Sequence, residues 1–175
     1  MGTDKALAEV GGRPLALRVA EAVRRTCPRV SIVGDPAKYS HLGLPVIPDS
    51  FHGLGPLAGI EAALAATNSD WNLVVACDMP SLDQSLLESL FSMLESHPAT
   101  DPDCVLPVHP DGTVEPLCAV YHRRALPVIR AALESGIRKV TDALRPLAVT
   151  YVAAGSAAPY ANLNTPEDLR KYLHG

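Results

Sequence analysis

The stretch WNLVVACD (71–78) constrains the fold of this chain more than any other. Its apolar residues run almost without interruption and end on a carboxylate. A strand with one wet face alternates polar and apolar positions, whereas a continuous run reads as a strand covered on both faces, as in an α/β sheet between helices. Asp78 then marks the strand's C-terminal end, the side on which open α/β sheets bind their ligands.

The remaining segments fit the same layered pattern. Pro14 to about Arg25 reads as a helix, with Leu15, Val19, Ala22 and Val23 on one face and Pro14 at the first helical position. RVSIV (29–33) reads as a buried strand, LPVIPD (44–49) as an edge strand because of its prolines, and GPLAGIEAALAAT (55–67) as a helix. Ser81-Leu82-Asp83-Gln84 has capping-box spacing before a helix carrying Leu86, Leu87, Leu90, Met93 and Leu94. CVLPV and EPLCAVYH, separated by HPDG, predict an antiparallel hairpin turning at Asp111-Gly112. A helix over 124–135 stopped by Gly136, a short helix (138–144), a strand (148–153) and a final helix from Pro166, capped by Thr165, complete the chain. The expectation is a single α/β domain, a mostly parallel Rossmann-like sheet with an antiparallel excursion in its second half.

Composition excludes several classes. The 175 residues, 47% hydrophobic and 19% charged, are those of one globular domain. A net charge of −4 without a basic run beyond Arg24-Arg25 gives no footprint for nucleic acid. No apolar run approaches the ~18 residues of a membrane span, and no signal-peptide pattern opens the chain, so a cytoplasmic location is expected. Cys27, Cys77, Cys104 and Cys118 contain no C-x-x-C pair and read as reduced, mostly buried thiols.

Candidate chemistry follows the strands. The Asp78 carboxylate suits Mg²⁺, which takes one or two protein oxygens and completes its shell with water and phosphates, although an Asp can also simply end a strand. Lys5 is a candidate phosphate ligand or a solvated charge, and Gly11-Gly12 is either part of a phosphate-handling loop or a tight turn before a helix. Asp49, ahead of SFHGLGPLAG, opens a loop able to wrap a sugar or base, or forms a turn. His52 and His109 have no metal or triad spacing, and no G-x-S-x-G, H-E-x-x-H or complete Walker A occurs.

The order of these segments is more specific than any one of them. DKAL…GGRPL, PDSFHGLGPLAG, CDMP and NLNTPEDL, in that sequence, resemble the molybdenum cofactor guanylyltransferases, the MobA-type branch of the nucleotidyltransferase superfamily, over essentially the whole chain. The resemblance implies transfer of GMP from GTP to molybdopterin, the molybdenum cofactor, with release of pyrophosphate and Mg²⁺ as cofactor. It matches Lys5 to the family lysine on the triphosphate, Asp49 to an aspartate on the nucleotide, and Asp78 to the aspartate binding Mg²⁺ and the GTP phosphates. Asn162 and Asn164 fall in its N-x-N-T-P turn near the reacting phosphates or pterin, and Arg138 and Lys139 are further candidates for the anionic pterin. Molybdoenzyme maturation proteins would be the partners downstream.

The chain also departs from the family pattern. The family opens with a strand and an L-A-G-G-x-S-x-R-M-G loop, of which Met1-Gly2 matches only the last two residues. Residues 1–175 therefore read as one nucleotidyltransferase domain, N-terminally incomplete relative to the family: either the polypeptide starts upstream, or the chain is a short form impaired in GTP binding. Gly34 stands where many members carry an Asn that touches the nucleotide. A CTP-using sibling enzyme and a catalytically silent binding partner in cofactor assembly are the alternative readings.

Overall fold

The computed structural model describes residues 4–79, 82, 84–96 and 101–154. The predicted last helix, Thr165, Asn162 and Asn164, and two residues of the predicted capping box, Ser81 and Asp83, lie outside the described residues.

A 3-10 turn (Lys5–Leu7) leads into a two-strand hairpin, β1 (Glu9–Val10) and β2 (Arg13–Pro14). Its turn is Gly11-Gly12, with φ of 59° and 73°. Two successive positive φ values are what a two-residue hairpin with the strands' own twist requires, and glycine adopts them at least cost. The glycine pair is thus a hairpin turn, the second of its two readings. Helix α1 (Leu15–Arg24) follows directly, with Pro14 as its N-cap rather than its first helical residue. It buries Leu15, Ala16, Val19, Ala20 and Val23, the stripe expected at helical spacing.

Strand β3 (Ile32–Val33), helix α2 (Pro36–Tyr39) and strand β4 (Val46–Ile47) come next, and β3 and β4 pair in parallel. Helix α3 (Pro56–Ala66) starts after Gly55, whose φ is 80°, and buries Leu57, Ala58, Ile60, Glu61, Ala62 and Leu64. Strand β5 (Trp71–Val75) and helix α4 (Gln84–Ser96) precede the hairpin strands β6 (Cys104–Val108) and β7 (Cys118–His122). Helix α5 (Leu126–Glu134), helix α6 (Val140–Ala143) and strand β8 (Val149–Ala153) end the described chain. Helix α5 stops as predicted at Gly136 (φ 85°): the Gly136 and Ile137 amides donate to the Leu133 and Ala132 carbonyls. That is the Schellman pattern, which satisfies carbonyls left over at a helix end.

The strand order in the larger sheet is β5-β7-β6-β8. The predicted hairpin is present: β6 and β7 are antiparallel, and the Asp111 side chain accepts from the Thr113 amide (2.8 Å) in its turn. The hairpin's second strand inserts beside β5, also antiparallel, while β8 returns parallel to β6. The described sheets are therefore mixed, with the parallel pairings β3–β4 and β6–β8 and the excursion at β7.

Two apolar layers cover the sheet. On one face Leu57, Ile60 and Leu64 of α3 pack with Ile129 and Leu133 of α5 and with Leu106 and Tyr121 from the sheet. On the other, Val19 and Val23 of α1 meet Leu86 and Leu87 of α4. In two places the structure corrects the reading of the sequence. WNLVV and SIV were expected to be fully buried strands, yet every residue of β5 and β3 is only half-buried. The reason is geometric: both strands border a slot of 1270 Å³ between the β3–β4 pair and the larger sheet.

Candidate active site at the end of strand β5

The slot is lined by α1, α3 and α4, through residues such as Val19, Val23, Ile60, Ala63 and Phe91. Cys77 and Asp78 line it just beyond the end of β5. There Cys77 and Asp78 form a turn, and Lys5, 73 positions earlier, brings its Nζ to 3.4 Å from Asp78 Oδ2. The lysine side chain is about one-third exposed and that of Asp78 is 17% exposed. Among the described residues Asp78 Oδ1 accepts no hydrogen bond, so one oxygen of this largely buried carboxylate is left without a donor.

Two residues not picked out from the sequence hold Lys5 in place. Asp4 caps the turn that carries the lysine, its Oδ1 accepting from the Ala6 amide (3.1 Å), and its Oδ2 accepts from the Tyr39 hydroxyl (2.7 Å). Tyr39 reaches Asp4 because Gly34 has no side chain: a Cβ there would stand 2.5 Å from Tyr39 Cε2. Burial, and then the bond to Asp4, push the Tyr39 phenol well above its ordinary range. The Asp-x-Ala spacing of an N-terminal cap was a usable sequence signal for Asp4. Nothing local marks Tyr39.

Of the other candidates, Asp49 makes a local turn, Oδ1 accepting from the Phe51 amide at 2.8 Å. This orders the segment leading to α3, where Phe51 and Leu54 pack on the core. Arg138 and Lys139 are exposed at the α5–α6 connection, and Arg138 Nη1 donates to the Leu133 and Ile137 carbonyls. The structure thus joins Lys5 to Asp78 and shows no bond from either to Asp49, Arg138 or Lys139. His109 faces Glu115 across the β6–β7 turn at 3.1 Å. All four cysteines are free thiols. Burial pushes Cys104 and Cys118 up to about 12, and burial with the neighbouring Asp78 charge pushes Cys77 up to about 11.

A hard carboxylate with a free oxygen suits a small divalent cation that arrives with its own phosphate ligands. No group of three or more His, Cys, Asp and Glu side chains forms an all-protein metal cage among the described residues. No helix of the described residues is long and apolar enough to cross a membrane.

Comparison with known proteins agrees with this geometry. The MobA-like NTP transferase domain family matches residues 1–148. The chain is 33% identical over 175 residues to the molybdenum cofactor guanylyltransferase of Vibrio parahaemolyticus, covering 98% of this chain and 87% of that protein. It is 33% identical over 178 residues to the protein of the same name from Desulfosudis oleivorans, covering 97% and 86%. The crystal structure of molybdopterin-guanine dinucleotide biosynthesis protein A from Archaeoglobus fulgidus superposes with a TM-score of 0.82 at 28% identity, over 99% of this chain and 90% of that one. The 2-C-methyl-D-erythritol 4-phosphate cytidylyltransferase of Thermus thermophilus shares the fold (TM-score 0.75, 18% identity, 97% and 92% covered). With the order of its sequence segments, its α/β layers and a Lys–Asp pair at the end of β5 all in agreement, the chain belongs to the MobA-like NTP transferase family, a family of nucleotidyltransferases.

Proposed function

We propose that this chain transfers GMP from GTP to molybdopterin, forming the guanine dinucleotide cofactor and pyrophosphate. The observation that carries the reading is the Lys5–Asp78 pair, set at 3.4 Å just beyond the end of β5 in a chain whose relatives bear that activity in their names.

Both substrates are polyanions, so bringing their phosphates together requires charge neutralisation and alignment more than a strong base. Lys5, capped by Asp4 and balanced by Asp78, is a cation held ready for a phosphate oxygen. As a triphosphate approaches, Nζ exchanges its 3.4 Å contact for the ligand and steadies the charge that grows on the departing pyrophosphate. Asp78, with Oδ1 unpaired, is the residue that would hold Mg²⁺, which supplies neutralisation of the phosphate oxygens when bound. A pterin phosphate oxygen forms the new bond to the α-phosphorus, and the bond to the β-phosphate oxygen breaks. No protein nucleophile is required. Cys77, the thiol nearest in sequence to the carboxylate, is kept protonated at neutral pH by burial and by Asp78. Asp49 orders a nucleotide-side loop through its bond to the Phe51 amide, and Asn162, Asn164, Arg138 and Lys139 keep the substrate contacts that the resemblance implies.

The test uses protein purified from its own organism, supplied with GTP, molybdopterin and Mg²⁺. Pyrophosphate release and a GMP-bearing pterin are expected, together with loss of both in Asp78→Ala. Turnover with CTP in preference to GTP would replace this reading with cytidylyl transfer, and retained turnover in Asp78→Ala would remove the role given to that carboxylate.

A further inference from the structure

Glu115-Pro116-Leu117, the turn that enters β7, is tied to the sheet at every residue. The Glu115 amide donates to the Pro107 carbonyl of β6 (3.0 Å), and the Glu115 carbonyl accepts from the Cys118 amide (3.1 Å). The hydroxyl of Tyr121, a fully buried side chain, donates to the Pro116 carbonyl (2.7 Å). The Leu117 carbonyl accepts from the Ala76 amide just after β5 (2.8 Å). The turn therefore bridges the ends of β6 and β5, and Pro116 adds the fixed φ of its ring. The Glu115 side chain is held as well, because His109 Nε2 donates to its Oε1 at 3.1 Å.

Both side chains are largely withdrawn from water, His109 with 12% and Glu115 with 20% of its side chain exposed. Among the described residues Glu115 Oε2 accepts no hydrogen bond, yet it is not sealed from solvent. Withdrawing a carboxylate costs free energy unless its oxygens find donors, so a rigid frame that leaves one oxygen open suits a donor that arrives. The place is beside the Lys5–Asp78 pair. Strands β5 and β6 are both antiparallel to β7 and so run the same way, which sets Asp78 and His109 on one edge of the sheet, past the C-terminal ends of their strands. Adjacent strands lie about 4.8 Å apart, so the end of β6, two positions over, is about 10 Å from that of β5. The β3–β4 pair, which leads to Asp49, lies on the opposite side of β5, across the slot.

We propose that Glu115 binds the amino-pyrimidinone edge of the pterin substrate, with His109 as the residue that positions it; the inference rests on the guanylyl-transfer reading above. That edge presents two neighbouring N–H donors, the exocyclic amine and the adjacent ring N–H. A carboxylate accepts both in parallel, as it does from a guanidinium. Oε2 takes one N–H, and Oε1 takes the other on the lone pair that the His109 bond leaves over. Guanine carries the same edge, and position chooses between the two. Asp49, the residue assigned to the nucleotide, follows β4 across the slot, whereas Glu115 stands on the other side of Asp78. Its separation from the phosphate site suits molybdopterin, whose phosphate and amino-pyrimidinone edge lie at opposite ends of a rigid fused-ring system.

The test compares wild type with Glu115→Gln, His109→Ala and His109→Gln, all prepared in the protein's own organism. Glutamine at 115 keeps the size and the His109 contact but offers one acceptor oxygen in place of two, and no charge. KM for molybdopterin should rise about 10–100-fold in Glu115→Gln, with KM for GTP, kcat and Tm unchanged. His109→Ala should raise the same KM, and His109→Gln, which restores an N–H donor, should recover most of it. A second readout needs no turnover. Hydroxymethylpterin, followed by its own fluorescence, should bind wild type about tenfold or more tightly than the corresponding lumazine, which carries oxygen in place of the amine, and Glu115→Gln should erase that preference. An unchanged KM for molybdopterin in Glu115→Gln, or equal binding of pterin and lumazine to wild type, overturns the assignment. A rise in KM for GTP alone overturns it too and gives Glu115 to guanine. Absence of turnover in wild type would remove the guanylyl-transfer reading, and the fluorescence titration would still decide whether Glu115 reads a pterin.

Discussion

Gly34→Ala should damage this protein through a residue five positions away. A Cβ at position 34 would lie 2.5 Å from Tyr39 Cε2 and 2.9 Å from Cδ2, distances that cannot be tolerated, so the ring must swing off the backbone. In doing so it gives up the 2.7 Å bond from its hydroxyl to Asp4. A hydrogen bond to a charged acceptor contributes about 1.5–3 kcal/mol, which for a chain of this size corresponds to a fall of about 3–12 °C in Tm. Because Asp4 also caps the turn that bears Lys5, triphosphate binding should weaken with stability, and KM for GTP should rise more than kcat falls. The assay is a double-mutant cycle by thermal unfolding, with KM measured in parallel. Against a Tyr39→Ala background the same substitution meets no ring, and its cost should shrink to the backbone strain of a side chain held at φ 155°, about 1–3 kcal/mol. Equal costs in the two backgrounds, or an unchanged Tm for the single variant, would refute the proposed linkage. Asn is expected to behave like Ala here, because the obstruction begins at the Cβ.

Three further outcomes are expected. Arg130 donates two hydrogen bonds, 2.8 and 2.6 Å, to Oε1 of Glu61, a carboxylate 1% exposed on α3. Arg130→Ala would leave that charge buried and unpaired, so chemical denaturation should show a loss of about 3–5 kcal/mol, largely recovered in Arg130→Ala/Glu61→Met. Burial tends to raise the Asp103 pKa, but the Ala148 amide and Arg124 outweigh it and hold the carboxyl below its ordinary 3.8. Its stabilising contribution is therefore complete above pH 3.8 and lost as pH falls through the lower folded value, so Asp103→Asn should flatten the acid limb of a stability–pH curve. Leu57→Ala, at a side chain with no exposure between α3 and the sheet, should cost about 2–5 kcal/mol in urea unfolding without changing KM for GTP.

Much of this was legible in the residues. The continuous run at 71–78 located both the α/β class and Asp78, because a strand without a polar face must lie between layers. The Asp111-Gly112 turn located the hairpin for an equally local reason. Lys5 and Asp78 were each singled out, but their contact spans 73 positions and is a product of packing, which no local pattern encodes. The insertion of β7 between β5 and β6 was not legible either, since Val105 and Val120 carry no mark of which neighbour each will choose. Burial was over-read at two strands: WNLVV and SIV have the composition of strands enclosed on all sides, and they flank the slot instead. Their sequence is that of interior strands even where their surroundings are not.

The position of β7 has a consequence for how the protein is made. Strand β5 leaves the ribosome early, yet its hydrogen-bonded neighbour among the described strands of that sheet is β7, whose last residue is His122. Between them come α4 and β6, and β6 in turn pairs with β8, which ends at Ala153. A sheet closed by such distant partners has high contact order and forms late and slowly. Until residue 122 has emerged, the WNLVV backbone lacks that pairing, in a segment that is apolar and rich in β-formers. Synthesis is thus the interval in which this segment is most exposed to association with other chains. Pausing before residue 118 should lower the soluble yield, and pausing after residue 153 should not.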